Sequence, residues 1–224
     1  RNAVNVPSID AETLAKIQPY LTLGEDLGHF ISQLTDGPVT RVEIQYNGEV
    51  STIQLKPVTN AILKGLFNRS IDGINMVNAP FIAKERGIEV QESNSSEVHE
   101  YTSTVQVQVT TQNGTQKVTG SVFGKGDSRI VQFADYNMEA VLSKNMLVLQ
   151  NMDVPGVIGN LGNILGKNGL NIAGFHLGRQ EEEGKAGKAG KAIAIINIDS
   201  PPTTEALREL RNTANILSVH SVTL

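Results

Sequence analysis

At 224 residues with 39% hydrophobic side chains, the chain has enough apolar material for one large or two small folded domains. Nineteen Lys and Arg against twenty-three Asp and Glu leave a formal charge of −4, which offers no positive field for a phosphate backbone, so nucleic acid is excluded as an expected partner. With no cysteine there is no disulfide scaffold, thiolate nucleophile or cysteine-held metal centre, and no apolar run reaches the roughly 20 residues of a membrane span. The start, Arg1-Asn2-Ala3-Val4, lacks both the apolar core of a secretion signal and an initiator methionine, so a cytoplasmic piece of a longer protein is expected.

Asp10 suits the N-cap of a helix that carries Leu14, Ile17, Leu21, Leu27, Phe30, Ile31 and Leu34 at near-3.6 spacing, with Pro19 expected to kink or restart it. Asp36-Gly37-Pro38 ends that pattern. Arg41 to Tyr46 then alternates with period two and predicts a strand that turns at Asn47-Gly48 onto a partner over Glu49 to Lys56. Helical spacing returns over Val58 to Phe67 and again over Ala79 to Arg86, where Gly87 provides the stop. Ile88 to Glu92 reads as a strand. Tyr101 to Thr111 and Thr115 to Phe123 alternate cleanly across Gln112-Asn113-Gly114, the strongest hairpin signal of the chain, and Ile130 to Phe133 adds one more strand.

From Met146 the order becomes strand (Met146 to Leu149), helix (Pro155 to Asn168), strand (Leu170 to Leu177), strand (Ala192 to Asp199), helix (Thr203 to Asn212), strand (Ile216 to Thr223). This βαββαβ order is the split βαβ of ferredoxin-like domains, an antiparallel sheet with two helices on one face and the other face expected to be free for pairing. The fold class is therefore α+β. Between the central strands, Glu181 to Lys191 is charged and glycine-rich, which predicts a long, solvated hairpin loop.

Candidate chemistry gathers in Asn151-Met152-Asp153-Val154-Pro155-Gly156-Val157, with Asn168-Gly169-Leu170-Asn171-Ile172 downstream. Pro155 suits the first turn of a helix, and Gly156 lets a ligand approach the backbone. First-turn amides, including that of Val157, favour a carboxylate, while Asp153 supplies an anion for an ammonium, so a zwitterion matches both. Asn151 and Asn171 each offer a donor and an acceptor, and the three polar side chains are expected to converge on one edge. Each has a plainer reading: Asp153 as a helix cap, Asn171 as a turn residue and Asn151 as a solvated strand end. The four histidines show no metal-binding spacing and no serine has a nucleophile-elbow context, so neither a metal site nor a catalytic residue is expected.

Asp153-Val154-Pro155-Gly156-Val157 with Asn168-Gly169-Leu170-Asn171-Ile172 resembles the signature of the ACT domain, a ligand-sensing module of the same strand order. Upstream, Asn2-Ala3-Val4-Asn5-Val6-Pro7, Asn78-Ala79-Pro80, Ala83-Lys84-Glu85-Arg86-Gly87-Ile88 and Gly120-Ser121-Val122 resemble the C-terminal half of long-form D-3-phosphoglycerate dehydrogenases. The resemblance implies three parts: a tail of the catalytic region with a linking helix over 1–34, a mixed α/β allosteric substrate-binding domain over 35–144 and a ferredoxin-like ACT domain over 145–224. It implies L-serine as a feedback effector between two ACT domains, held by Asn151, Asp153 and Asn171 with Pro155, Gly156 and Val157, and a homo-oligomer, dimer or tetramer, joined through ACT domains. The family's NAD loop and catalytic residues belong to domains that precede these, so no cofactor is expected on this chain and NAD is expected in the parent enzyme. Anion binding by the middle domain directs attention to Lys125, Arg129 and Lys144. The competing readings are a freestanding amino-acid-sensing ACT module and the regulatory subunit of an iron–sulfur L-serine dehydratase.

Overall fold

The computed structural model describes residues 11–98, 100–124, 126–179 and 190–224. Helix α1, Ala11–Ser32, runs continuously through Pro19, which therefore does not restart it. The imino acid costs about 3 kcal/mol in a helix interior. Burial of Ile17, Leu23, Leu27, Phe30 and Ile31, at roughly 1.5–3 kcal/mol each, outweighs that. Asp10, its expected cap, lies outside the described residues.

Strand β1, Val39–Gly48, does not turn back on Glu49 to Lys56. Gly48, at φ 79°, instead leads into a 3₁₀ turn over Glu49–Thr52 that buries Val50, whose amide donates to Ser103 Oγ at 3.0 Å. Helices α2, Leu55–Phe67, and α3, Ala79–Glu85, follow. Gly87, at φ 69°, closes α3 with paired bonds from Ile88 N to Ala83 O and from Gly87 N to Lys84 O, the Schellman ending that the sequence announces. Strand β2, Glu89–Ser95, then runs parallel to β1. Strands β3, Ser103–Thr111, and β4, Gly114–Phe123, form the expected hairpin, Val107 opposite Val118. They are followed by β5, Asp127–Phe133, and by β6, Tyr136–Val141, a strand the sequence reading did not include. The six-stranded order is β2-β1-β3-β4-β5-β6.

Helices α1 and α2 cover one face of this sheet in a single core. They meet backbone to backbone: a Cβ at Gly28 would fall against the carbonyl oxygen of Ile62, and one at Gly65 against that of Glu25. Helix α1, read from sequence with residues 1–34 as the tail of a preceding part, thus packs as a layer of the six-stranded sheet.

The second half forms β7, Asn145–Met152; α4, Val157–Lys167; β8, Ile172–Arg179; β9, Lys191–Ile198; α5, Thr204–Arg211; and β10, Ile216–Thr223. These make an antiparallel sheet of order β10-β7-β9-β8. Leu147, Leu149, Ala194 and Ile196 face Leu161 and Leu165 of α4 and Leu210 of α5. The opposite face, expected from the sequence to be free for pairing, is covered. Met146, Val148, Ile193, Ile195 and Val222 join the core of the first sheet beside Phe133, Tyr136, Met138 and Ala140. The approach is close enough that a Cβ on Gly178 would sit 2.8 Å from Met138 Cε and from Tyr136 Cβ. Buried Asn197 of β9 fastens the junction, donating to Val141 O at 2.8 Å and to Ser143 Oγ at 2.6 Å while its Oδ1 meets His176 Nε2 at 3.1 Å. Because both amide hydrogens are spent, Oδ1 must accept, and His176 carries its proton on Nε2. At the far edge Gln33 of α1 pairs with the main chain of Thr223 in both directions, at 2.9 and 3.0 Å, and so covers part of the open side of β10. Among the described residues no helix is long and apolar enough to cross a membrane.

Candidate functional site at the end of the second sheet

Strand β7 carries Asn151 and Asp153 to the end of the sheet where α4 begins. Asn151 is not a solvated strand end. It is 3% exposed, its Nδ2 donates to Met152 O at 2.8 Å, and its buried Oδ1 has no partner among the described residues. Such an acceptor is costly to leave unmade, so a donor from water or from a ligand suits this position.

Asp153 does not cap α4. Its amide donates to Gly190 O at 2.8 Å, and its carboxylate meets Arg179 Nε, at the end of β8, at 3.2 Å. Pro155 precedes the helix rather than occupying its first turn. Gly156 is the N-cap in the left-handed region at φ 89°, a conformation glycine adopts without a Cβ clash, and a Cβ there would meet open space. No side chain among the described residues caps the helix, and its start is held by Asn160 N donating to Gly156 O at 3.0 Å. Val157 is buried in the core, so only its backbone is available to the site. A helix start with uncapped amides, one carboxylate and an unsatisfied amide oxygen can hold a small molecule with both an anionic and a cationic end.

Asn171 does not join this group within one chain. It opens β8 at the opposite end of the sheet, where its Nδ2 donates to Asp199 Oδ2 at 2.7 Å. Ile172 pairs with Ile198 while Arg179 pairs with Ala192, so Asn171 and Asp153 are separated by the length of β8, roughly 25 Å at about 3.3 Å per residue. The expected convergence of three polar side chains fails because α4 carries the chain back along the sheet before β8 starts. Arg179, which the sequence reading passed over, stands at the site instead. Its only signal was its place two residues before the acidic Glu181-Glu182-Glu183 run.

Of the residues considered for anions, Arg129 is already engaged by carboxylates. Lys125 lies outside the described residues. Arg129 bonds Asp127 at 2.7 Å and Glu139 at 3.4 Å and lies 4.8 Å above the Phe123 ring; the Asp127 bond, foremost, pushes its pKa upward. Two carboxylates thus already neutralise it. Lys144, beside the junction, accepts at its carbonyl from Leu224 N at 3.0 Å. A cavity of about 460 Å³ lies elsewhere, between the ends of α1 and α2 and the start of β1, with Arg69 and Arg86 on its wall. Both arginines follow helix C-termini, where a cation offsets the partial negative charge of the last carbonyls. No group of three His, Cys, Asp or Glu side chains suited to a metal occurs among the described residues.

Comparison with known proteins assigns both halves. The D-3-phosphoglycerate dehydrogenase intervening domain matches residues 16–134, and the ACT domain matches residues 145–215. The chain belongs to the D-3-phosphoglycerate dehydrogenase family. Its whole length aligns at 34% identity with the D-3-phosphoglycerate dehydrogenase of Bacillus subtilis, covering 42% of that protein, and equally, over 225 residues, with that of Archaeoglobus fulgidus. The enzyme of Methanocaldococcus jannaschii is 32% identical, with 41% of it covered. The chain therefore spans about 42% of the length of these relatives. The intervening-domain match starts inside α1, in keeping with the packing of that helix against the six-stranded sheet.

Proposed function

We propose that this chain is the regulatory region of a D-3-phosphoglycerate dehydrogenase, and that its ACT domain binds L-serine between two copies and feeds occupancy back on the parent enzyme. The dehydrogenase chemistry and NAD belong to the parent outside these residues, in the cytoplasm. The observation that carries the reading is the unfinished end of the second sheet, with Asp153, the uncapped start of α4 and the unsatisfied Asn151 oxygen beside an edge strand.

Among the described residues that strand, β8, pairs on one side only, whereas Gln33 already covers part of β10. Joining two β8 strands antiparallel about their middle sets position 172 of one copy opposite 179 of the other. Asn171 of the partner subunit then comes to the same end of the joined sheet as Asp153, on the far side of Arg179, so a site that is incomplete in one chain is completed by a two-fold pair. Serine can inhibit only by favouring one arrangement of subunits over another, and coupling of about 1–3 kcal/mol is sufficient. A ligand shared across the pair supplies that preference.

The test is calorimetric titration of the chain with L-serine, with D-serine and glycine as controls. Saturable, stereospecific heat is expected, weakened about 10-fold or more by Asp153→Ala, the loss of one charge-assisted bond. A folded oligomer that gives no heat with L-serine refutes the reading. No observation favours the freestanding sensor or the dehydratase subunit over this assignment.

A further inference from the structure

Asp153, the counter-charge assigned above to an ammonium, is already occupied. Arg179 Nε lies 3.2 Å from its Oδ2, with the arginine side chain 66% exposed and the carboxylate 33%. Asp153 stands one residue past β7, and Arg179 is the last residue of β8. Strand β9 runs between them, with Met152 opposite Lys191 and Arg179 opposite Ala192. The guanidinium therefore reaches across two strand spacings, about 10 Å of backbone separation, to find the carboxylate. No other cation pairs with Asp153 among the described residues. An ion pair this open to water contributes little net stability, so a ligand cation can displace it.

We infer that Arg179 is a specificity-determining residue of the effector site: the ligand's ammonium takes its place at Asp153, and the released guanidinium takes the ligand's carboxylate. The inference rests on the amino-acid reading of this site and follows from charge balance. A simple amine would free Arg179 with no anion to receive it and set two cations side by side. A simple acid would find Arg179 engaged by Asp153 and would have to leave that carboxylate unpaired. Only a zwitterion with both charges on one carbon leaves every charge matched, Asp153 with the ammonium and Arg179 with the carboxylate. Guanidinium suits the second role, because its parallel N–H groups match a carboxylate in two bonds. The ligand class selected is the free α-amino acid, against amines and acids of the same size.

The rival holder of the carboxylate is the uncapped start of α4, and titration separates the two. L-serine and serinol, in which a hydroxymethyl group replaces the carboxylate, are titrated into the unaltered chain, Arg179→Gln and Arg179→Lys. L-serine is expected to bind the unaltered chain at least about 10-fold more tightly than serinol does. Arg179→Gln should weaken L-serine about 10-fold while strengthening serinol, so that discrimination collapses, and Arg179→Lys should restore part of it. Equal L-serine affinity in the unaltered chain and Arg179→Gln overturns the inference. So does a parallel gain for both ligands, which would make Arg179 a competitor only, with the carboxylate held by α4. An unaltered chain that binds neither L-serine nor any other amino acid removes the amino-acid reading itself, and this inference with it.

Discussion

Both halves of the molecule lay two helices on one face of a sheet, and they use glycine in opposite ways. In the first half Gly24, Gly28 and Gly65 are where α1 and α2 touch, close enough that Gly28 and Gly65 admit no side chain. In the second, Gly159, Gly162 and Gly166 of α4 meet nothing within 4 Å. Each glycine weakens a helix by about 1 kcal/mol relative to alanine. In α1 and α2 close packing offsets that loss. In α4 nothing among the described residues does. The far faces differ as well: that of the first sheet carries Arg41, Glu43, Gln45, Gln106 and Gln108, bonded to one another or to neighbouring polar groups, whereas that of the second is apolar and buried against β6. The first half thus concentrates its rigidity between its helices, and the second is held through its sheet, which leaves α4 as a locally weak helix whose start lines the candidate site.

The contrast is broken most severely at Gly28. Gly28→Ala should force the helices apart and cost about 3 kcal/mol or more, because the obstructing atom is main chain and cannot turn aside. A midpoint within error of the parent in urea denaturation would show that the helices tolerate separation.

The junction comes next. Asn197→Leu leaves His176 and Ser143 without their shared partner and should cost about 1–3 kcal/mol, with faster amide exchange over residues 141–145. Unchanged exchange there would remove Asn197 from its role as fastener.

A third test exploits Asp26 on α1, whose pKa is raised to about 6, chiefly by burial and then by the nearby Glu25 carboxylate. The folded state holds this proton more tightly than the unfolded chain does. Its contribution is therefore fully present below about pH 4 and is lost as pH rises through about 6. Burial, then Arg69, lowers the pKa of His29, an effect of opposite sign that removes stability as pH falls below 6.5. Asp26→Asn should abolish only the first trend. Parallel stability curves for the parent and the variant between pH 4 and 6 would show that Asp26 is not responsible.

On the second sheet the same glycine-to-alanine change should reverse sign. Gly162→Ala is expected to stabilise by about 0.5–1 kcal/mol, and a loss would reveal that α4 has a close neighbour in the assembled protein. The smallest effect belongs to Asp153→Ala, which should change stability by less than about 1 kcal/mol, since its ion pair with Arg179 is open to water on the arginine side. A larger change would mean that Asp153 supports the fold rather than a ligand.

Elements set by neighbours in the chain were legible without the structure. The β3–β4 hairpin follows from alternation around Gln112-Asn113-Gly114, α3 ends at Gly87, and the βαββαβ order of the second half follows from its change of period. Of the candidate site, Asp153 and Gly156 lie at the end of the sheet where an effector was expected, because a strand leading straight into a helix puts its last residues at the helix start.

What the sequence by itself determined is this local grammar of turns, caps and periods, together with the family, whose motifs are local too. Tertiary structure alone decided that β1 pairs with β2 and β3 rather than with the segment after Gly48, that α1 passes through Pro19, and that the second face of the ACT sheet is covered. It also set Asn171 a strand's length from Asp153 and brought Arg179 to that carboxylate across β9. The physical reason is common to all of these: each depends on burial or pairing between residues far apart in the chain, and no residue's own backbone preference encodes which distant surface will exclude its water.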